Sequence, residues 1–198
     1  MMARIRATLL LALAGLVCTG SLAGCNCASL MIQDPALESA IRAELGMPLG
    51  CLTLADLAQV TELQADGLNI TTLQGLELLP NLTILNVQNN QIRSVTPLTN
   101  LTNLEFLDLG FNNISNIEPL SGLFNLDTLF LDGNNLFDLG PLTANVLNGG
   151  LGADDTVVLS ASILDGPGGE VQQIFQGDVN TLTGAGVRVF VEIRPEGA

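Results

Sequence analysis

The chain has 198 residues and a formal net charge of -14, because 20 acidic side chains outnumber 6 basic ones, and it contains no His, Trp or Tyr. This surplus of negative charge argues against partners that need clustered cations, namely nucleic acid and anionic lipid surfaces. The absence of histidine excludes imidazole-based activation of a nucleophile and imidazole metal sites. The length suits one domain of ordinary size.

The first 24 residues have the pattern of an export signal. Arg4 and Arg6 give a basic start, an apolar run follows over residues 8–18, and small residues precede Cys25. The tetrapeptide LAGC that ends at Cys25 resembles a bacterial lipobox, which implies that Cys25 is acylated and becomes the first mature residue. We therefore expect removal of residues 1–24 and lipid anchoring to a bilayer of the bacterial cell envelope, in the periplasm or at the cell surface. An ordinary cleaved signal followed by an unmodified cysteine is the alternative.

Residues 25–33 predict a short tether, whose extended reach of roughly 25 Å keeps the domain close to the bilayer. With Cys25 acylated, Cys27 and Cys51 are left as a pair in an oxidising compartment, where a disulfide between them would pin the tether to the first cap. The sequence does not give the geometry of this pair, so a disulfide and two free thiols both stay open.

Residues 34–58 predict a helical cap for the N-terminal end of the domain. Asp34 suits the N-cap of a helix, and Pro35 suits its first position, where the missing N–H costs nothing. Apolar residues then recur at helical spacing, and Thr53 suits the cap of a second short turn. A stacked repeat leaves an apolar end that must be covered, and this amphipathic segment is the expected cover.

Residues 59–146 repeat with an unbroken period of 22, in four copies that start at Gln59, Asn81, Asn103 and Asn125. A fixed period in this range is the mark of a stacked repeat. The pattern LxxLxLxxNxI in these copies resembles the leucine-rich repeat, in the short bacterial form found in internalin-like proteins. That resemblance implies an α/β solenoid: a right-handed horseshoe with parallel strands on its concave face, an N-terminal helical cap and a C-terminal cap of strand and helix.

The ninth position of the last three copies is asparagine, at Asn90, Asn112 and Asn134. The pattern turns these amides inward, where each must find hydrogen-bond partners. In leucine-rich repeats, which these copies resemble, this asparagine bonds backbone groups of the neighbouring turn and forms a ladder, so we assign all three to structure. Leu68 stands in this place in the first copy, which suits a repeat packed on an apolar cap.

Alternate residues of each predicted strand face away from the core, and function is expected there. Phe106 and Phe130 fall on neighbouring strands of this concave face, with acidic and amide residues around them, which is the anatomy of a protein-binding patch. Two unrelated surface phenylalanines are the alternative. The predicted partner-binding residues are Glu62, Gln64, Asp66, Ile84, Asn86, Gln88, Phe106, Asp108, Phe111, Thr128, Phe130 and Asp132.

Residues 147–198 predict a degenerate fifth repeat and a C-terminal cap. The glycine-rich segment 147–152 predicts a flexible break, and residues 156–160 predict one more strand. Residues 170–182 are weakly helical, and residues 187–192 alternate as a final strand. A cap over the last repeat is favoured over a second functional domain.

The sequence as a whole predicts a binding module without enzymatic activity or a bound cofactor. The acids of the repeats fall on solvent-facing positions, so no buried carboxylate pair is expected. We expect a monomer, anchored through Cys25, that binds a protein or peptide and no nucleic acid. Two alternatives stay open: a structural envelope lipoprotein without a single partner, and a protein that binds a glycan, or Ca²⁺ through Asp66, Asp108 and Asp132, although these acids come from different strands.

Overall fold

A computed structural model of the chain describes residues 31–160 and 171–192. The predicted signal segment, the predicted acylation site Cys25 and the cysteine Cys27 lie outside the described residues. Cys51 lies within them and is disulfide-bonded, while its pairing with Cys27 stays a prediction. None of the helices in the two described ranges is long and apolar enough to cross a membrane.

Two helices precede a series of short strands that alternate with turns. The helices are α1 (Pro35–Glu44), α2 (Leu54–Leu57), α3 (Gly140–Leu147) and α4 (Val171–Gly184). The strands are β1 (Glu62–Gln64), β2 (Ile84–Asn86), β3 (Phe106–Asp108), β4 (Thr128–Phe130), β5 (Thr156–Ser160) and β6 (Arg188–Glu192). Single 3-10 turns stand between the first four strands, at Leu76–Leu78, Thr96–Leu98 and Glu118–Leu120.

The strands form one parallel sheet in sequence order, from β1 at one end to β6 at the other. From β1 to β4 each residue pairs with the residue 22 positions later, which is the period of the sequence. The central leucines of these strands therefore stack in one fully buried column: Leu63, Leu85, Leu107 and Leu129. A three-residue strand cannot bury its leucine alone, so each copy is stabilised by the copies on either side. The predicted stack of parallel strands is present.

The N-terminal cap forms because Asp34 satisfies free N–H groups at the start of α1. Its Oδ1 accepts hydrogen bonds from the N–H groups of Ala36 at 2.9 Å and Leu37 at 3.3 Å. Its Oδ2 accepts from the N–H group of Thr71 at 2.8 Å, which ties the cap to the first repeat. Leu37 and Ile41 are fully buried, so the inner face of α1 covers the apolar end of the stack.

Leu68, which takes the place of the asparagine in the first copy, does not point into the core. Its side chain is 41% exposed. The backbone of this turn is satisfied from the second copy instead, because Asn90 Oδ1 accepts from the N–H groups of Leu68 at 3.1 Å and Ile70 at 2.8 Å. Since the amide that accepts from a turn comes from the following copy, the first copy can lack an asparagine and still have its N–H groups paired.

The fourth copy closes with the helix α3 rather than with a 3-10 turn, and α3 carries a fully buried asparagine, Asn145. Its Nδ2 donates to the carbonyl oxygens of Leu120 at 3.4 Å and Leu123 at 2.9 Å, and its Oδ1 accepts from the N–H group of Leu151 at 2.7 Å. Within residues 147–152, where the sequence predicts a break in the repeat, the bond from Leu151 to Asn145 joins the segment to α3 and, through Asn145, to the third copy.

The C-terminal part extends the sheet as well as capping it. β5 pairs with β4 and β6 pairs with β5, both in parallel, so α4 is the crossover between two parallel strands. Thr143 Oγ1 on α3 donates to Asp178 Oδ1 on α4 at 2.9 Å, which joins this unit to the fourth copy. The strand face of the protein is therefore six strands wide.

Candidate functional site

The ladder asparagines are held entirely by backbone groups. Asn112 Nδ2 donates to the carbonyl oxygens of Val87 at 3.0 Å, Leu109 at 3.0 Å and Gly110 at 3.1 Å, and its Oδ1 accepts from the N–H group of Ile92 at 3.0 Å. The same set of bonds recurs one copy before and one copy after, at Asn90 and Asn134. These amides join neighbouring copies and leave nothing for a ligand.

A second asparagine ladder, which the sequence analysis missed, runs along the starts of the copies. Each starting asparagine donates through Nδ2 to a carbonyl oxygen 23 residues earlier: Asn81 to Ala58 at 2.7 Å, Asn103 to Pro80 at 2.8 Å, and Asn125 to Thr102 at 2.7 Å. These bonds are exposed to solvent, in contrast to the inner ladder. The sequence contains the signal for this ladder, because three copies begin with asparagine. These asparagines were used only to define the period of the repeat.

The predicted partner-binding residues lie on the strand side turned away from the core, or in the turns that follow the strands, and this surface is called the concave face below. Its members are exposed at the β1 end, at Glu62, Gln64 and Asp66. Its half-buried members are Ile84, Asn86, Gln88, Phe106, Phe111, Thr128 and Phe130. Its buried members are Asp108 and Asp132.

Phe106 and Phe130 form an aromatic pair in the middle of the concave face. Their ring centroids lie 5.7 Å apart, and the ring planes are tilted by 49°, within the range that aromatic pairs favour. The register sets Phe106 opposite Thr128 and Asp108 opposite Phe130, so the two phenylalanines are diagonal neighbours. Both are half-buried, which leaves part of each ring open to a partner.

A buried carboxylate pair lies beside these rings, which the sequence analysis had excluded. Asp108 is 9% exposed and Asp132 is 5% exposed, so the prediction that both face solvent was wrong. Gly110 is the reason, because a Cβ atom there would lie 2.9 Å from Asp132 Oδ1 and 3.1 Å from Asp108 Oδ1. The two carboxylates fill the space that a side chain at Gly110 would need, and the Gly110 N–H donates to Asp108 Oδ1 at 2.9 Å.

Burial raises the pKa of Asp108 above its ordinary value of 3.8, and the charges of Asp132 and Asp66 raise it further, against the lowering effect of the Gly110 N–H bond. The folded protein therefore holds this proton more tightly than the unfolded chain does. The stability that the protonated group contributes is fully present below pH 3.8 and is lost as the pH rises through the raised pKa. At neutral pH the ionised Asp108 destabilises the fold.

Asp108→Asn is expected to raise the free energy of unfolding at pH 7 by an amount on the order of 1 kcal/mol, and to lose that advantage below pH 4. Asparagine fits because Asn86 occupies the equivalent position on β2 and accepts from the Gln88 N–H at 3.2 Å. Urea melts between pH 3 and pH 8 measure the effect. Glu44→Gln, at an exposed position of α1 away from Asp108, is the control, and an Asp108→Asn advantage that does not depend on pH would contradict the assignment.

Phe111 occupies a backbone conformation that disfavours its side chain. Its φ is 54°, and the equivalent positions of the other copies, also at positive φ, hold residues that tolerate it: Gly67, Asn89 and Gly133. A bulky side chain in this left-handed region costs about 1–2 kcal/mol. The conformation is imposed by the stack, since the Phe111 N–H donates to the carbonyl oxygen of Asp132 at 2.7 Å.

Among the described residues, no three His, Cys, Asp or Glu side chains are grouped so that they could hold a metal ion. The carboxylates of Asp108 and Asp132 come together, whereas Asp66 is exposed at the β1 end of the face. The Ca²⁺ alternative therefore finds no cluster of ligands in this part of the chain.

Comparisons with known proteins agree with the repeat architecture. Residues 102–144 match the family model described as Leucine Rich repeats (2 copies). A stretch of 66 residues, 32% of this chain, is 38% identical to internalin H of Listeria monocytogenes, of which it covers 12%. The crystal structure of an internalin (InlF) from the same species is similar over 89% of this chain and 56% of that chain, with a TM-score of 0.65 and 26% sequence identity.

These similarities confirm the predicted fold: the chain is built of internalin-like leucine-rich repeats in an α/β solenoid with a parallel sheet. The chain spans only a small part of internalin H and about half of the InlF chain. The similarity therefore identifies the architecture, and the activity of those longer proteins is not carried over by it.

Proposed function

We propose that this protein is a lipid-anchored binding module of a bacterial cell envelope, and that its concave face binds a protein or peptide. The observation that carries the proposal is the Phe106–Phe130 ring pair, half-open at the centre of a polar face. Leucine-rich repeats of the internalin-like type generally act in protein–protein interaction and are typically not enzymes. Aromatic anchors with a polar rim are the surfaces on which binding energy concentrates.

The strain at Phe111 gives the proposal a second support. Glycine or asparagine at this position would relieve the strain of the left-handed backbone without changing the fold. Gly67, Asn89 and Gly133 hold the same conformation in the other copies. A strained residue that a milder one could replace is a reason to look for function at that position. Phe111 directly follows Gly110 in the turn after β3, the strand that ends at Asp108. It therefore adds a third aromatic residue to the same part of the face.

The end of the tether supports an anchored domain whose concave face stays open. The Gln33 N–H donates to the carbonyl oxygen of Gln74 at 3.2 Å, and a Cβ atom at Gly75 would lie only 2.7 Å from the Cα atom of Ile32. Residues 31–33 therefore pack against the return side of the first copy, opposite the strands. The described end of the tether therefore leaves the strands uncovered.

Acylation at Cys25 is tested by metabolic labelling with an alkyne analogue of palmitate. The wild-type chain should carry the label and Cys25→Ser should lose it, because the sulfur is the proposed acceptor. Cys27→Ser is the matched control and should keep the label. Label retained on Cys25→Ser would remove the lipid anchor from the proposal and leave the binding face untouched.

Phe106→Ala combined with Phe130→Ala is expected to lower recovery of a crosslinked partner at least about tenfold, because two aromatic anchors of about 2 kcal/mol each would be lost. The measurement is quantitative crosslinking in native membranes, with the thermal melt of each variant recorded beside it. Phe124→Ala combined with Phe137→Ala is the control, since both of those phenylalanines are exposed but lie outside the strands. Equal recovery by both double variants would defeat the proposed site.

A further inference from the structure

The last strand of the sheet has a free edge. β6 is five residues long and pairs with β5 on one side, and among the described residues no further strand joins it on the other. At the opposite end of the sheet β1 has only three residues, and α1 packs against it. An unpaired strand presents a row of N–H and C=O groups that can pair with another chain. The β6 end of the sheet therefore offers the longer template for pairing.

The backbone groups of Val189 and Val191 point toward this free edge. The Arg188 N–H donates to the carbonyl oxygen of Asp155, directly before β5, at 2.8 Å. Backbone groups of successive strand residues point to alternate sides of the strand, so Arg188 and Phe190 bond toward β5 and the two valines do not. A further strand would therefore pair with β6 through Val189 and Val191.

Phe190 is an exposed aromatic residue on this edge. The register aligns it with Val158 on β5 and, through Val158, with Phe130 on β4, so its side chain lies on the concave face. It is 55% exposed, whereas its neighbour Val189 packs against the core. An aromatic side chain at an open edge gains most when a second aromatic residue lies opposite it on an adjoining strand.

The sequence of β6, RVFVE, is complementary to itself when two copies run antiparallel. When Phe190 lies opposite Phe190 of a second copy, Arg188 lies opposite Glu192 and Val189 lies opposite Val191. This register suits the backbone, because the valine pairs carry the hydrogen bonds and the phenylalanines form a non-hydrogen-bonded pair, with Cα atoms about 4.5 Å apart. A shift of two residues would set Phe190 against Arg188 or Glu192 and lose the aromatic pair.

β6 lacks the features that commonly block a sheet edge. Proline, or charges along the strand, prevent such pairing in many proteins, but β6 contains no proline and its three central residues are apolar. Its two charged residues, Arg188 and Glu192, have opposite signs and stand at opposite ends, so an antiparallel copy is attracted. Arg188 also donates to the carbonyl oxygen of Asp154, and its guanidinium has further N–H donors for a carboxylate.

We propose that two copies of this protein pair antiparallel along β6, with Phe190 opposite Phe190 and Arg188 opposite Glu192, about a two-fold axis normal to the sheet. The two sheets then form one continuous sheet, and both concave faces point the same way. Two Phe106–Phe130 ring pairs thereby share one surface, on which a partner with two sites is held by both copies. This dimer differs from the monomer that the sequence predicts, and it goes beyond the proposed binding function without depending on it.

Phe190→Cys provides a covalent trap for this pairing in the full chain. The two Cα atoms, about 4.5 Å apart, lie within the range that a disulfide spans, so a mild oxidant applied to intact cells should convert this variant into a dimer. Paired five-residue strands form a small interface that exchanges readily, which makes a covalent readout suitable.

Phe137→Cys is the matched control for the trap, since Phe137 is 68% exposed but lies outside the strands. The unsubstituted chain gives the background from the native cysteines. We expect Phe190→Cys to yield at least about tenfold more dimer than either control, because only position 190 is held opposite itself.

An exchange of charges tests the register in the Phe190→Cys chain. Arg188→Glu alone or Glu192→Arg alone should lower the dimer yield at least about fivefold, because like charges then lie opposite each other. The two substitutions together should restore the yield to within about twofold, because opposite charges face each other again. Positions four apart on one strand are separated by about 13 Å, so this restoration cannot arise within a single copy.

Three results would overturn the inference. Equal dimer yields from Phe190→Cys and Phe137→Cys would show random collision, and failure of the double charge exchange to restore the yield would rule out the antiparallel register. Crosslinking of Phe190→Cys to a different protein, identified by mass spectrometry, would rule out a second copy as the occupant of the edge. The crosslinking result for Phe106 and Phe130 decides separately whether the concave face binds a protein.

Discussion

Asn112→Ala is expected to lower the free energy of unfolding by about 3 kcal/mol. The substitution leaves the N–H group of Ile92 without its acceptor. It also removes one of two donors from the carbonyl oxygens of Val87, Leu109 and Gly110, which keep Asn90 Nδ2, Asn134 Nδ2 and the Asn89 N–H respectively. A buried polar group that loses its partner costs about 1–3 kcal/mol, and the three lost carbonyl bonds add to that cost. Urea unfolding followed by circular dichroism measures the change.

Asn103→Ala is the matched control for Asn112→Ala. Asn103 makes one hydrogen bond, from Nδ2 to the carbonyl oxygen of Pro80 at 2.8 Å, and that bond is exposed to solvent. Water can replace an exposed donor, so this variant should lose less than about 1 kcal/mol. The inner ladder would lose its assigned role if the two variants melted alike. Hydrogen exchange adds a second readout, because loss at Asn112 should open the second and third copies first.

Asn145→Ala is expected to cost about 3 kcal/mol and to loosen the C-terminal unit of β5, α4 and β6 from the fourth copy. The fully buried amide joins the carbonyl oxygens of Leu120 and Leu123 to the N–H group of Leu151. In the described residues, no other side chain bonds these three groups. Asn148→Ala is the control, since Asn148 makes an exposed bond to the carbonyl oxygen of Ala144 at 2.8 Å.

Gly150 allows the contact around Asn145 to be tested by a double-mutant cycle. A Cβ atom at Gly150 would lie 2.1 Å from Asn145 Oδ1, so Gly150→Ala must displace that amide. Gly150→Ala should therefore be strongly destabilising in the wild-type chain and much less so in Asn145→Ala. Additive effects of the two substitutions would show that the amide and Gly150 do not share one packing site.

The parts of the fold that follow from period could be predicted from the sequence. A spacing of 22 residues places each leucine of the Leu63 column over the next, and the capping residues Asp34 and Thr53 start helices where local chemistry requires it. The helix caps depend only on residues close in the sequence, and the leucine column depends only on an exact repeat. The position of Phe106 beside Phe130 followed from the same register.

The predictions that failed concern how side chains fill the space between neighbouring copies. Alternation correctly predicted that Asp108 and Asp132 point away from the core. It carried no information on the space that is left open because Gly110 has no side chain. The two carboxylates occupy that space and are therefore buried. Asn145 was missed for a related reason. It falls outside the ladder positions, and its carbonyl partners lie 25 and 22 residues earlier on another copy, with no motif to connect them.

The fixed register between β1 and β4 has a consequence for how such a protein can change in length. The second and third copies present the same backbone pairing and the same ladder bonds to their neighbours, so removing or duplicating one of these inner copies rejoins matching surfaces. A shift by a fraction of a copy would instead bring side chains opposite backbone groups that they cannot satisfy. The number of strands in the sheet can therefore change only by whole copies. Each copy adds or removes one strand with its outward-facing residues, while the caps at both ends stay unchanged.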